Sequence, residues 1–357
     1  MSIGDVNKYS ERVTQMRIKN KSNNDGSNRE SLLGKVLAVV LAVEAVFLAT
    51  GYPFFRFMTY AGNKKKKESD KNGKKWFQLN HIEVNHPRYK HNEEYEKTRE
   101  WCESQSMEDW YIKSYDGIML HAKYLPAENA KRSIVLSHGY RGTSFGSIAH
   151  MAQFLHENGC NLLFVDQRCC GESEGEYITF GAKEQHDIMS WMYKVIKLDD
   201  KKLPVYLFGQ SMGATSVILA SGHDLPEEVK GIIADCGYHS MKQQLRDISK
   251  GWFHLHWIEL LLFRVDIFSR LLAGFKMKEA DTTVALKNNT RPVLFFHGEK
   301  DTYVYPVNTE INYELCTAPK EVVYIPSARH LCCSYEAPKL YKKKLKEFFK
   351  KYDISNT

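Results

Sequence analysis

The chain has 357 residues, with 50 Lys+Arg against 43 Asp+Glu, a formal charge of +7, 43% hydrophobic and 26% charged residues. Values so close to those of ordinary globular proteins exclude a wholly disordered chain, a collagen-like fibre and a polytopic membrane protein. The basic excess is confined to residues 1–75, which hold 15 Lys+Arg and 7 Asp+Glu and leave 35 and 36 for the rest. A nucleic-acid binder spreads basic residues over a folded surface. An excess held in the leader points instead to a membrane surface, so lipid is expected as a partner and nucleic acid is not.

Residues 1–35 are polar, with the run Asn23-Asn24-Asp25-Gly26-Ser27-Asn28, and disorder is the expectation there. From Val36 to Phe55 the one charge is Glu44. Twenty helical residues reach about 30 Å, the thickness of a bilayer core, which predicts a single transmembrane helix over 36–55. Tyr52, Phe54, Phe55 and Tyr60 suit the interface, and Lys64 to Lys67 suit the headgroups. Within 15 residues of the span, three Lys/Arg precede it and five follow, which leaves both orientations open and slightly favours the cytoplasmic side for the larger part of the chain. Residues 56–109 read as a basic juxtamembrane segment and linker, with a charged helix near 89–102.

From Trp110 the texture becomes regular. Trp110–Ser114 and Ile118–Leu125 flank the turn Asp116-Gly117 and predict a hairpin. Short apolar runs follow at Ser133–Ser137, Asn161–Val165, Val205–Phe208, Gly231–Ala234, Val293–Phe296 and Val322–Ile325. Each suits a strand buried on both faces. Helix-length stretches lie between them, at 145–158, 181–197, 212–222, 305–316 and 335–351. This alternation predicts an α/β domain over 110–357 with a mostly parallel sheet, whose site lies at the carboxyl ends of the strands.

The informative residues stand at those ends. The strand at Val205 runs into Gly209-Gln210-Ser211-Met212-Gly213 and then an apolar stretch, which is G-x-S-x-G between strand and helix. The turn is so tight that its flanks cannot carry side chains. It lifts the Ser211 hydroxyl clear of the sheet and puts helix N–H groups beneath it. The Met212 N–H becomes one oxyanion donor, and the Tyr140 N–H, in Ser137-His138-Gly139-Tyr140 after an earlier strand, the other. A serine hydroxyl needs a base. Asp301 after one strand and His330 after the next follow Ser211 in the order expected of such a triad, with His330 as base and Asp301 orienting it. Asp235 also ends a strand and is the rival acid. His138, His239 and His297 lie near strand ends, but none follows the acid.

Taken together, Ser137-His138-Gly139-Tyr140, Asp166-Gln167-Arg168 with Gly171-Glu172-Ser173-Glu174-Gly175, the serine turn, His297-Gly298-Glu299-Lys300-Asp301 and Arg329-His330 resemble the α/β-hydrolases of the serine aminopeptidase-like and monoacylglycerol-lipase-like branch. The resemblance covers about residues 110–350. It implies an α/β-hydrolase fold with a mostly parallel eight-stranded sheet, helices on both faces, a helical cap and serine esterase-type activity without a cofactor. Cys169 stands where the family usually has glycine.

The cap is expected at about 238–290, where aromatic and aliphatic residues crowd. Trp252, Phe253, Trp257 and Leu261 are candidates for lining an apolar acyl pocket. Eight cysteines without CxxC give no zinc ribbon, and His254 and His256 at i, i+2 point to different sides of a helix, so no metal is expected. The expected substrate is a small-molecule or lipid-like carboxylic ester, or a thioester. The same triad also serves a peptidase or amidase and an acyltransferase. A catalytically silent scaffold is the reading from another class, and the complete set Ser211, Asp301 and His330 speaks against it.

Overall fold

The computed structural model of the chain describes residues 14–16, 33–42, 44, 50–62, 90–253 and 258–353. The chain divides into two units, Met1–Phe54 and Phe55–Thr357. In the first, residues 33–42 and 44 are helical. Residues 43 and 45–49 of the expected span lie outside the described residues, and helix α1, Gly51–Thr59, follows a turn at Thr50. Among the described residues no helix is long and apolar enough to cross a membrane. Phe55, the last residue of the expected span, is buried in protein, with its ring 5.6 Å from that of Tyr177 and 6.0 Å from that of Phe268. Its apolar character serves the second unit's own packing, a use that hydropathy does not distinguish from contact with lipid.

The second unit is built on an eight-stranded sheet of order β1-β2-β4-β3-β5-β6-β7-β8. The strands are β1 Glu108–Lys113, β2 Met119–Leu125, β3 Arg132–Ser137, β4 Cys160–Val165, β5 Val205–Gln210, β6 Val229–Asp235, β7 Val293–Gly298 and β8 Lys320–Ile325. β2 is antiparallel to β1 and β4, and the others run parallel. The hairpin and the six apolar runs are all strands, as expected. The helices are α2 Asn92–Ser104, α3 Ala152–Glu157, α4 Glu184–Leu198, α5 Met212–Ser221, α6 Met241–Phe253, α7 Glu259–Phe268, α8 Thr282–Asn288, α9 Val307–Leu315, α10 Cys333–Glu336 and α11 Pro338–Tyr352.

Strand side chains alternate between two faces, and each face has its own core. Ile134, Leu136, Leu162, Phe164, Tyr206, Phe208, Leu294 and Phe296 meet α3 and α11, where Phe296 stacks on Tyr341 at 3.9 Å. Val135, Leu163, Val165, Leu207, Ile232, Ala234 and Phe295 meet α4, α5 and α8. Burial of each large side chain contributes about 1.5–3 kcal/mol, so the inner strands β3 to β7 are held from both sides. Helix α5 is buried along its whole length, and its sequence MGATSVILAS is accordingly apolar or small throughout.

Two expected helices are subdivided. The stretch 145–158 is a 3-10 turn, Ser147–Met151, followed by α3. The stretch 335–351 breaks before Pro338, which has no N–H to donate to a helix already under way and so starts α11 at its first turn. The segment between β6 and β7 holds α6, α7, a π-helical turn Ser269–Ala273, a 3-10 turn Met277–Ala280 and α8, a helical insertion where the cap was expected.

The sheet order sets the place of the site. The chain leaves β3 for β4 on one side and returns to β5 on the other, so the strand order reverses between β3 and β5. A crevice opens at the carboxyl ends of parallel strands at such a switch point. The loop after β3 and the turn after β5 meet there.

Candidate active site

Ser211 occupies the turn between β5 and α5 with φ 54° and ψ −120°, a conformation that side-chain-bearing residues rarely adopt. Backbone strain of this kind costs on the order of 1–3 kcal/mol and persists where the surroundings enforce it. Here the flanking glycines let the backbone pack closely around the turn. A Cβ on Gly209 would lie 2.2 Å from the Gly213 carbonyl oxygen, and one on Gly213 would lie 2.1 Å from the Ser137 oxygen and 2.6 Å from that of His138. The Ser211 N–H donates to the Asp235 carbonyl at 2.8 Å and ties the turn to β6. Gly213→Ala is therefore expected to cost about 3 kcal/mol or more, since α5 must part from β3. The denaturant midpoint reads this directly, and an unmoved midpoint means that the turn is wider than described.

The three residues separated by 90 and 29 positions come together. His330 Nε2 is 3.0 Å from Ser211 Oγ, and His330 Nδ1 is 2.6 Å from Asp301 Oδ2. Asp301 and His330 lie on the loops after β7 and β8, which are joined by Lys300 N–H donating to the Ala328 carbonyl at 3.0 Å. Asp301 Oδ1 accepts from the N–H groups of Tyr303 and Val304, both at 2.9 Å. Burial alone would push this carboxyl up, but the charge of His330 and the hydrogen bonds from His297 and His330 outweigh it and hold it well below the usual carboxylate range. Asp301 is thus an anion at neutral pH, with Oδ2 turned to the imidazole.

Sequence reasoning left His297 and Tyr303 without a part. His297 Nε2 is 2.9 Å from the Val304 carbonyl and 3.4 Å from Asp301 Oδ2, while its Nδ1 is 2.7 Å from Thr309 Oγ1. It braces the acid from behind. The Tyr303 ring lies 4.8 Å from that of His330, and its carbonyl accepts from Gln244 of α6 at 2.8 Å, which ties the insertion to the acid's loop. Only the position of these residues beside a strand-end acid could have flagged them.

The rival acid takes a different place. Asp235 alternates onto the face of α11, where its Oδ2 accepts from Gln210 Nε2 at 2.9 Å and from the Tyr341 hydroxyl at 3.0 Å. Burial pushes its carboxyl up, against those hydrogen bonds. It anchors strand to helix and does not reach the imidazole.

The oxyanion candidates belong to segments that adjoin Ser211. Met212 opens α5, so its N–H has no intrahelical acceptor. Among the described residues the Tyr140 N–H has no hydrogen-bond acceptor. Its loop lies against the nucleophile, since a Cβ on Gly139 would be 3.3 Å from Ser211 Cβ and 3.8 Å from Oγ. His138 holds that loop. Its Nε2 receives the Gln167 N–H at 3.2 Å, so the proton sits on Nδ1, which donates to the Gly139 carbonyl at 2.7 Å.

Of the pocket candidates, Leu261 lies half-buried on α7. Trp257, with His254 and His256, lies outside the described residues, as do the side chains of Trp252 and Phe253. Cys169 keeps the backbone form expected of glycine, with φ 67°, and all eight cysteines are buried and outside any disulfide.

Among the described residues, one group brings three metal-ligating atoms together, Cys236, Asp301 and His330, within 4.8 Å of one another. Burial, then the charges of Asp235 and Asp301, push the Cys236 thiol well above its ordinary range and keep it protonated. Asp301 and His330 Nδ1 are already paired. This donor set does not fit a resident metal.

A family described as serine aminopeptidase, S33, matches residues 128–264. An uncharacterized protein of Bacillus subtilis, YqkD, is 24% identical over 314 residues, covering 88% of this chain and 96% of its own. A proline iminopeptidase of Thermoplasma volcanium is 31% identical over 148 residues, covering 40% of this chain and 47% of its own. Among solved structures, the Pyrococcus furiosus esterase Pf2001 superposes with a TM-score of 0.58 at 22% identity, covering 70% of this chain and 93% of the esterase. With its mostly parallel eight-stranded sheet, its strand–serine–helix turn and these likenesses, the chain has the α/β-hydrolase fold.

Proposed function

We propose that the protein is a serine hydrolase that cleaves carboxylic esters of lipophilic acyl groups, with Ser211, His330 and Asp301 as its catalytic residues. The observation that carries this reading is the continuous chain of contacts from Ser211 Oγ to His330 at 3.0 Å and from His330 to Asp301 at 2.6 Å. His330 Nε2 takes the Ser211 proton as Oγ bonds to the acyl carbon. The carbonyl electrons move onto oxygen, where the Tyr140 and Met212 N–H groups receive the charge. The C–O bond to the leaving group then breaks as His330 returns the proton to that oxygen. Water repeats the sequence on the acyl-enzyme and frees the acid, while the Asp301 anion holds the imidazole in register and stabilises its cation.

The lipophilic acyl group is supported by the insertion, where Leu260, Phe263, Leu271 and Leu272 are exposed and Leu261 is half-buried. Aminopeptidase activity is the second reading, favoured by the family description and by the Thermoplasma likeness. A panel of p-nitrophenyl esters and aminoacyl p-nitroanilides on the full chain separates the two. A medium-chain ester is expected to exceed acetate at least about tenfold in kcat/KM, as filling an apolar pocket with further methylenes requires. A strict preference for acetate removes the acyl pocket, and turnover of anilides over esters replaces the esterase reading by the peptidase one.

A further inference from the structure

The C-terminus of a helix leaves carbonyl oxygens without intrahelical donors. In α1 and the residue after it, those oxygens are taken up by the loop expected to hold an oxyanion donor. The Tyr140 hydroxyl donates to the Met58 carbonyl at 2.6 Å. One Arg141 Nη donates to the carbonyls of Phe57 at 3.1 Å and Tyr60 at 3.0 Å. Arg141 Nε donates to the Tyr140 hydroxyl at 2.8 Å, so the two side chains act as one unit. Arg141 itself has φ 52°, in the left-handed region, and its side chain reaches the same helix end as that of Tyr140.

The helix end is fixed in its turn. The Ile178 N–H donates to the Thr59 carbonyl at 2.8 Å, and the Ala61 N–H to that of Glu176 at 2.9 Å, around a bridge between Tyr60 and Tyr177. Phe55 is buried against Tyr177 and Phe268, the latter at the end of α7. The Tyr140 ring also faces Phe180 at 5.4 Å. Burial pushes the Tyr140 phenol up, which keeps it a hydrogen-bond donor. A loop that receives transition-state charge must be rigid beforehand, because its donors count only when already aimed. His138 fixes the loop from the sheet side, and α1 fixes it from the opposite end.

We propose that residues 55–60 form a clamp on the oxyanion loop, with Tyr140 and Arg141 as positioning side chains that hold the Tyr140 N–H toward Ser211. This rests on the serine-hydrolase reading above and deepens it. It makes the rate of the acyl-transfer step depend on residues 55–60. Displacing that segment lowers turnover without touching the triad.

The test is a double-mutant cycle on the full chain with Arg141→Ala and Phe55→Leu, assayed on the best ester of the panel. Arg141 is exposed, so its removal leaves no cavity. Each single variant is expected to lose about 10- to 100-fold in kcat with KM within about threefold, the signature of a misaimed donor. The double variant is expected to lose little more than the worse single one, because both act through one clamp. Tyr140→Phe, which keeps the ring and loses the bond to Met58, should fall between wild type and Arg141→Ala. Folded variants with kcat within twofold of wild type overturn the clamp, as do losses confined to KM or losses that multiply in the double variant. Wild type and Ser211→Ala run alongside. An active Ser211→Ala or an inactive wild type removes the serine-hydrolase reading and the clamp with it, whereas an inactive Ser211→Ala beside full-rate Arg141→Ala removes the clamp alone.

Discussion

Ser211→Ala is expected to lower kcat/KM toward a p-nitrophenyl ester by about 10⁴-fold or more, and to abolish labelling by a fluorophosphonate probe, with the unfolding midpoint unchanged or slightly raised. The hydroxyl hydrogen-bonds His330 at 3.0 Å, and its loss opens no cavity that the core must absorb. The strained φ of 54° remains in the variant, since alanine keeps the Cβ. Residual catalysis then comes from the oxyanion donors and from binding alone. Site occupancy distinguishes this result from unfolding, because a folded variant still binds the carboxylic acid product as wild type does. Retained turnover in a folded variant removes Ser211 from the mechanism and leaves the 3.0 Å contact as a structural hydrogen bond.

The inner strands were legible in the sequence because a strand covered on both faces must be apolar on both, so each appears as an uninterrupted run bounded by polar turns, whereas β1 and β2 showed through the turn between them. The serine turn was legible for a related reason. Its geometry excludes side chains at Gly209 and Gly213, and that exclusion leaves a fixed pattern around Ser211. The triad could be ordered because each member ends a recognisable strand. What supports the site was not legible. His138 and Tyr140 bond to carbonyls, and Arg141 does too, and every residue type offers the same backbone carbonyl, so the acceptor leaves no mark in the sequence. Arg141 and Phe57 are separated by 84 positions, and no local pattern links them. Phe55 was read as the end of a membrane span because hydropathy measures aversion to water and is blind to whether lipid or Tyr177 and Phe268 replace it. The break before Pro338 was visible in principle, from the missing N–H alone.

Asp301→Asn is expected to cost on the order of 10⁴-fold in kcat with little change in KM. An amide in place of the carboxylate can turn its NH₂ toward His330 Nδ1, which fixes the proton on Nε2 and leaves nothing there to accept from Ser211. The backbone supports this outcome, since Tyr303 and Val304 N–H groups donate to Oδ1 and select the amide oxygen for that side, which leaves the NH₂ facing the imidazole. The pH dependence of stability carries a second signature. In the folded protein the Asp301 carboxyl lies below its unfolded value of about 3.9, so its contribution is complete above that pH and is lost as pH falls toward the folded value. Asp301→Asn should therefore lose stability relative to wild type near neutrality, with the difference shrinking in acid, as denaturant midpoints at successive pH values will read. Asp235 tests the assignment from the other side. Its carboxyl is pushed up and bonded to Gln210 and Tyr341, away from the imidazole, so Asp235→Asn should keep kcat within about tenfold while shifting the unfolding midpoint, as loss of a buried hydrogen bond does. If Asp235→Asn were the inactive variant and Asp301→Asn the active one, the acid of this site would be the residue at the end of β6, and the 2.6 Å contact of His330 with Asp301 would be a structural brace.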